Sequence, residues 1–177
     1  MRPYCHLARK NWGQSMIADH DEMFRNVKGV FFRAVDANYL ATGLSGSRRA
    51  GRYSRADQPT LYLSSSPEGV EAAMMAHGSD HDHQRQLIQV SVSAHRILDL
   101  RDERARFLAG VTLQDATAPW QELVAEGKRP PSWNVRDRLV RLGAKGLVDP
   151  SRKAPGLWHL VLFEWNTEGA AQVRQIG

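Results

Sequence analysis

Residues 43–53 form a basic, glycine-rich stretch whose residue types suit the binding of a diphosphate. Arg48, Arg49 and Arg52 share this stretch with three glycines. Glycine lets a ligand approach the backbone closely, and guanidinium and backbone N–H groups bind phosphate oxygens well. The stretch matches neither a Walker loop nor the Gly-x-Gly-x-x-Gly fingerprint. The pattern therefore predicts either a diphosphate-binding loop or a mobile solvated loop.

Two carboxylates and a serine are further candidates for chemistry. Glu68 and Glu71 fall in the first turns of a predicted helix, where the positive end of the helix dipole stabilises a carboxylate. One of them could instead stabilise a cation at the mouth of a cleft. Ser151 begins a turn between two predicted strands, so a simple turn serine is the alternative to a reactive one.

The segment from His77 to His83 concentrates three histidines and two aspartates. Its spacing matches no zinc pattern and no cysteine supports it, so we expect a polar loop and predict no metal site. Cys5 and His6 are neighbours in the sequence, but adjacency alone does not create a pair of nucleophile and base.

Strand and helix patterns alternate along the chain and indicate an α+β fold in one domain. Apolar and β-branched runs predict strands at 29–35, 60–64, 86–92, 97–100, 144–148 and 157–166. Capping residues and helical spacing predict helices at 67–77, 102–109, 120–126 and 132–142, with one short helix near 19–26.

Composition narrows the class of protein. The chain has 177 residues, which is a single-domain length, and 42% of them are hydrophobic. One cysteine excludes an internal disulfide framework and fits a reducing cytosol. No apolar run reaches the roughly 18 residues of a membrane span, and we expect no secretory signal. The net charge is +5, with five lysines and 19 arginines, which suits nucleic acid, a phosphorylated small molecule or an acidic protein.

Five short stretches, in this order, resemble the RES-domain family, which is named for functional Arg, Glu and Ser residues. Together they span about residues 30–166, and each is quoted as it stands here: Phe32-Arg-Ala-Val35, Gly51-Arg-Tyr53, Leu61-Tyr-Leu-Ser-Ser-Ser-Pro67, Gly146-Leu-Val-Asp-Pro-Ser-Arg152 and Leu160-Val-Leu-Phe-Glu-Trp165. The resemblance implies a fold similar to the ADP-ribosyltransferase toxins: a single compact domain with a mixed sheet and flanking helices around an NAD cleft. It places residues 30–177 in the NAD-binding domain and leaves 1–29 as an N-terminal extension packed on it.

The resemblance also implies roles for single residues. The family's glutamate falls on Ala73 here, and Glu71 is the nearest carboxylate. Two helical residues rotate a side chain by roughly 200°, so Glu71 can replace it only if the helix starts later or is distorted. The implied catalytic residues are Glu71, Ser151 and Tyr62, and the implied NAD-binding residues are Arg33, Arg52 and Tyr53.

As a function, the resemblance implies a cytoplasmic toxin of a toxin–antitoxin pair, similar to the ParT-type toxins that pair with a ParS-type antitoxin. Such a toxin uses NAD as its substrate, with no metal, and transfers ADP-ribose to a protein such as phosphoribosyl pyrophosphate synthetase. The alternatives are an NAD glycohydrolase or phosphorylase, and a basic nucleic-acid-binding module. The expected partner is an antitoxin with an acidic contact near Arg48 and Arg49. We expect no membrane partner, and nucleic acid only indirectly through the antitoxin.

Overall fold

The computed structural model describes residues 21–47, 49–75 and 85–176. Six strands form one sheet: β1 (Phe24–Asp36), β2 (Leu61–Ser64), β3 (Arg85–Asp99), β4 (Gly146–Pro150), β5 (Trp158–Leu162) and β6 (Gln172–Ile176). Five α-helices flank it: α1 (Pro67–Met75), α2 (Glu103–Ala109), α3 (Leu113–Thr117), α4 (Gln121–Ala125) and α5 (Pro131–Arg141). The predicted α+β fold with a mixed sheet and flanking helices is confirmed.

The sheet closes on itself. Its strand order is β1-β2-β5-β4-β3-β6, and β1 also pairs with β3. Pairing is antiparallel except between β3 and β4, which run parallel. One edge of β3 pairs with β1. The opposite edge is shared, because β6 pairs with the middle of β3 and β4 pairs with its end. The closure brings Arg33, early in the chain, close to β2 and β5, which are far apart in sequence.

The two longest strands were predicted too short. Val30, Phe31 and Phe32 favour extended backbone, but β1 begins at Phe24, inside the segment assigned from the sequence to an N-terminal extension. The predicted short helix near 19–26 gives way to this strand from Phe24 onwards, and residues 1–20 lie outside the described residues. The two strands expected at 86–92 and 97–100 are one strand, β3, in which the positive φ of 54° at Arg96 does not end the pairing.

Helices α1 and α2 begin at residues that favour a helix start. The side chain of Asp102 accepts a hydrogen bond from the Ala105 N–H at the start of α2, and Gly110 ends that helix with a φ of 64°. Helix α1 begins at Pro67, as predicted from the favoured first helical position of proline. Helix α3, strand β6 and a 3-10 helix at Ala37–Thr42 were not predicted. All three are short and lack a sustained apolar period.

Each face of the central strands packs into its own apolar cluster. Leu147 and Val161 pack with Ala105 and Leu139 from helices α2 and α5, whereas Val148 packs with other strand residues in a second cluster. Successive residues of a strand point to opposite faces, so Asp149 shares its face with Leu147. The polar residues at the ends of β2, β4 and β5 therefore lie beside the helix-covered core.

Candidate functional site

Three neighbouring strands bring polar side chains together on the helix-covered face of the sheet. Ser64 on β2 pairs in register with His159 on β5, and His159 pairs in register with Asp149 on β4. Two residues away along β2 and β5, and therefore on the same face, Tyr62 pairs with Val161. Residues paired across strands lie side by side on one face, so these five side chains form a continuous floor.

A cavity of about 560 Å³ lies over this floor, and its volume falls within the range of about 300–1,000 Å³ typical of small-molecule sites. Tyr62 and Trp120 provide aromatic surface in its walls. Of the described residues that line it, six carry a positive charge: Arg33, Arg49, Arg52, Arg85, Arg152 and Lys153. Asp149 is the one carboxylate among those lining residues. The cavity is therefore suited to a ligand with more than one negative charge.

Arg33 projects from β1 into the wall of this cavity. Its Nη1 donates to the carbonyl oxygen of Tyr62 at 3.3 Å. Its Nε is buried and has no hydrogen-bond partner among the described residues. Burial also lowers the pKa of the guanidinium, with the Tyr62 side chain opposing that shift. A buried donor without a partner is costly, so a ligand oxygen at this wall would satisfy it.

Arg52 lies in the tight turn that the glycine-rich stretch makes before β2. The Gly51 N–H donates to the Ser54 carbonyl oxygen at 2.8 Å, which closes the turn. Arg52 is only 7% exposed, and its Nη1 donates to the carbonyl oxygens of Ala116 and Ala118 at 3.3 and 3.0 Å. The end of the stretch is therefore a hydrogen-bonded turn. Arg52 both lines the cavity and holds the C-terminal end of α3.

The helix α5 fixes the backbone of this turn from outside. The Trp133 indole N–H donates to the Gly51 carbonyl oxygen at 2.9 Å, and the Ser132 hydroxyl donates to the Arg52 carbonyl oxygen. From the cavity side, the Tyr62 hydroxyl accepts a hydrogen bond from the Tyr53 N–H at 3.1 Å. A Cβ at Gly51 would lie 2.7 Å from that hydroxyl oxygen, so this close contact requires glycine.

Tyr53 lies beneath the cavity rather than in its wall. Its side chain, implied by the resemblance to bind NAD, is fully buried and offers no surface on which a ligand ring could stack. Its hydroxyl donates to the Asp149 carboxylate at 2.8 Å. Burial raises the pKa of Asp149 to about 6, although the Tyr53 hydrogen bond and the Arg52 charge act in the opposite direction. In the sequence, Asp149 stands out only as a member of the stretch Gly146–Arg152 that resembles the family, and its apolar neighbours Leu147 and Val148 were the signal that it would be buried.

A hydroxyl and an imidazole are paired on the same floor. The Ser64 Oγ lies 3.0 Å from the His159 Nδ1. Burial lowers the pKa of His159, which favours a neutral ring at physiological pH. Neither residue was singled out from the sequence, because a serine and a histidine on separate strands carry no local pattern.

The structure does not bring Glu71 to the cavity. Helix α1 begins at Pro67, so the later start that would turn Glu71 inwards does not occur. The helix presents Val70, Ala73 and Met74 to the cavity, and Glu71 is exposed on another face. Ser151 does line the cavity. Its hydroxyl also accepts a hydrogen bond from the Ala154 N–H at 3.1 Å, which is the capping contact of a turn serine.

Comparisons with known proteins establish the family and the fold. The sequence matches the RES domain family over residues 30–177. The chain belongs to the RES domain family. This RES domain is similar in fold to the crystal structure of the M. tuberculosis MbcT-MbcA toxin-antitoxin complex, with a TM-score of 0.57 at 18% identity, over 92% of this chain and 91% of that chain. A comparison with curated proteins gives no match. The family predicted from five short stretches is thus confirmed.

Several other sequence predictions for this RES domain concern residues outside the described part. Cys5 with His6, the segment from His77 to His83, and Arg48 are among them. Within the described residues, no three His, Cys, Asp or Glu side chains form a group that could hold a metal ion. In that same part of the chain, no helix is long and apolar enough to cross a membrane.

Proposed function

We propose that this RES domain is the toxin of a toxin–antitoxin pair, that it uses NAD as a substrate in the cytoplasm, and that it transfers ADP-ribose to a protein. The observation that carries the proposal is the cavity with six Arg and Lys side chains in its described lining. NAD carries a doubly charged diphosphate between two aromatic ends, so it matches a concave site that combines positive charge with aromatic surface.

Arg33 and Arg52 are the proposed partners of the NAD diphosphate. Both are held by hydrogen bonds to backbone carbonyl oxygens, so little side-chain entropy remains to be lost when a ligand binds. The Arg33 Nε supplies a donor with no partner among the described residues. Tyr62 and Trp120 provide the surfaces on which the nicotinamide or adenine ring would stack.

The proposed reaction breaks the bond between the ribose C1′ and the nicotinamide nitrogen. The bonding electrons pass to that nitrogen, which neutralises the pyridinium ring, and neutral nicotinamide leaves. A nucleophile on the acceptor protein then forms a new bond to C1′ and loses its proton to a base. The Ser151 hydroxyl, at the cavity wall, is the proposed partner of the ribose hydroxyls. Exclusion of water from the cavity favours transfer over hydrolysis.

A toxin that consumes NAD must be held inactive in its own cell, and the similar fold belongs to a protein described as part of a toxin-antitoxin complex. We propose that the antitoxin covers the cavity mouth with an acidic segment near the exposed Arg49. Contacts between exposed charges act mainly on the association rate and weaken with salt. Arg49→Glu should therefore slow association with the antitoxin, and association at increasing salt should converge with that of the wild type.

One incubation tests the proposed reaction. The purified chain is mixed with NAD labelled in its adenylate half, with and without a cell lysate or purified phosphoribosyl pyrophosphate synthetase. Release of nicotinamide with label on a protein supports transfer. Release without protein label favours the glycohydrolase or phosphorylase alternative, and addition of inorganic phosphate separates those two by the product formed. No release of nicotinamide under any condition would overturn the use of NAD.

Two arginines on β1 provide a matched pair for that incubation. Arg33 lines the cavity, whereas Arg25 is exposed, pairs with Asp102 and lies outside the lining. Arg33→Ala should abolish most nicotinamide release, and Arg25→Ala should retain it. Equal loss in both variants would indicate a general effect of removing positive charge rather than a diphosphate site.

A further inference from the structure

Negative charge is scarce in the cavity. Helix α1 contributes Val70, Ala73 and Met74 to the wall, all without charge, and Asp149 is the one carboxylate among the described lining residues. Strand β4 places the Asp149 side chain on the same face as the buried Leu147, because alternate residues of a strand share a face. Because Asp149 pairs in register with His159 on β5 and a strand residue is held more firmly than a loop residue, the carboxylate has a fixed position relative to the floor.

The groups that face this carboxylate come from three elements. Tyr53 and Arg52 reach it from the turn before β2, Tyr62 from β2 and His159 from β5. Tyr53 donates its hydroxyl to Oδ1, and no other hydrogen bond to the carboxylate is seen among the described residues. His159 is bonded through Nδ1 to Ser64, so the imidazole is engaged on the side away from β4. Asp149 is therefore oriented on one oxygen and retains acceptor capacity on the other.

We infer that Asp149 is a catalytic residue of this RES domain, and that its carboxylate contacts the ribose beside the C1′ atom that becomes cationic as nicotinamide leaves. The inference rests on the proposed use of NAD and names a group that this use requires. Departure of nicotinamide leaves positive charge on C1′ and the ring oxygen, and the cations that bind the diphosphate cannot stabilise it. A carboxylate fixed at low solvent exposure can do so without reorganisation.

Removal of one such preorganised electrostatic group typically lowers turnover by about 100- to 1,000-fold. Asp149→Asn keeps the shape of the side chain and an acceptor for the Tyr53 hydroxyl, so it removes charge alone. We expect kcat for nicotinamide release to fall on the order of 100-fold. The KM for NAD should stay the same or decrease, because the variant removes a negative charge from a site that binds the negatively charged diphosphate.

Asp99→Asn is the matched control. Asp99 is also a buried aspartate at a strand end, 4% exposed, but it pairs with Arg101 and lies outside the cavity lining. This variant should retain the kcat of the wild type. Unfolding temperature and circular dichroism of both variants show whether either change acts through the fold.

The dependence of kcat on pH separates a catalytic role from a structural one. Because burial raises the pKa of Asp149 to about 6, activity should rise with pH through an acid limb near that value. Tyr53→Phe removes the hydrogen bond that favours the charged form, so the limb should move to higher pH. His159→Gln should retain the acid limb of the pH profile. That result would exclude titration of the imidazole as the cause of the limb.

The outcomes distinguish this inference from the proposed function. If the wild-type chain releases no nicotinamide, the proposed use of NAD fails. If the wild type releases nicotinamide and folded Asp149→Asn does so at a similar kcat, or with the same acid limb, Asp149 is not catalytic. A large fall in kcat with an unchanged or lower KM, loss of the limb and a normal fold support the assignment.

Discussion

Asp149→Asn should make the protein more stable at neutral and alkaline pH. The pKa of Asp149 is about 6 in the folded protein, against an ordinary value of 3.8. One pKa unit corresponds to about 1.4 kcal/mol, so ionised Asp149 costs the fold roughly 3 kcal/mol. The cost is absent below about pH 4, where folded and unfolded chains are both protonated, and complete above about pH 6. Asparagine carries no charge and avoids it.

Part of that gain is offset, because the Tyr53 hydroxyl donates to a carboxylate at 2.8 Å in the wild type and to a weaker neutral amide oxygen in the variant. A net gain of about 1–2 kcal/mol corresponds to a rise of roughly 2–8 °C in unfolding temperature for a chain of this size. Differential scanning calorimetry of both proteins between pH 4 and pH 8 measures it. An Asn variant that is less stable at pH 8, or a difference that does not shrink towards pH 4, would refute the reasoning.

Three further substitutions test the rest of the site. Arg33→Ala should weaken binding of a carbocyclic NAD analogue by about 10- to 100-fold in calorimetry, because a charge-assisted contact contributes about 1.5–3 kcal/mol. Gly51→Ala should cost about 1–3 kcal/mol in chemical denaturation, because its Cβ would lie 2.7 Å from the Tyr62 hydroxyl oxygen, whereas Gly29→Ala, with 3.8 Å to its nearest neighbour, should cost less. Glu71→Gln should leave nicotinamide release close to that of the wild type, and a large loss would show that α1 turns in the NAD complex.

The sequence predicted the elements that have strong local signals. Helices α1 and α5 have proline near their first position, and β5 is a dense run of apolar residues, so each is placed within a few residues of its predicted position. Strand β6 is different, because Gln172, Arg174 and Gln175 make it mostly polar. It forms because β3 offers a free edge for pairing. Tertiary pairing decides such a strand, and local propensity does not reveal it.

The site was predictable only in part, for a related reason. Arg33, Arg52, Tyr62 and Ser151 follow from short stretches that resemble a family, and the structure places all four at one cavity. Asp149 and His159 share that cavity because of the register between β4 and β5. Register depends on which strands become neighbours, and a single sequence does not state this.

The closure of the sheet also governs when a growing chain can first form the cavity. The cavity contains Arg33 from β1 and His159 from β5. A nascent chain can therefore form it only after His159 has been added. At about 5–20 residues per second, the ribosome needs roughly 6–25 s to add the residues between them. During that interval the nascent chain has no complete cavity, so under the proposed function it cannot yet bind NAD.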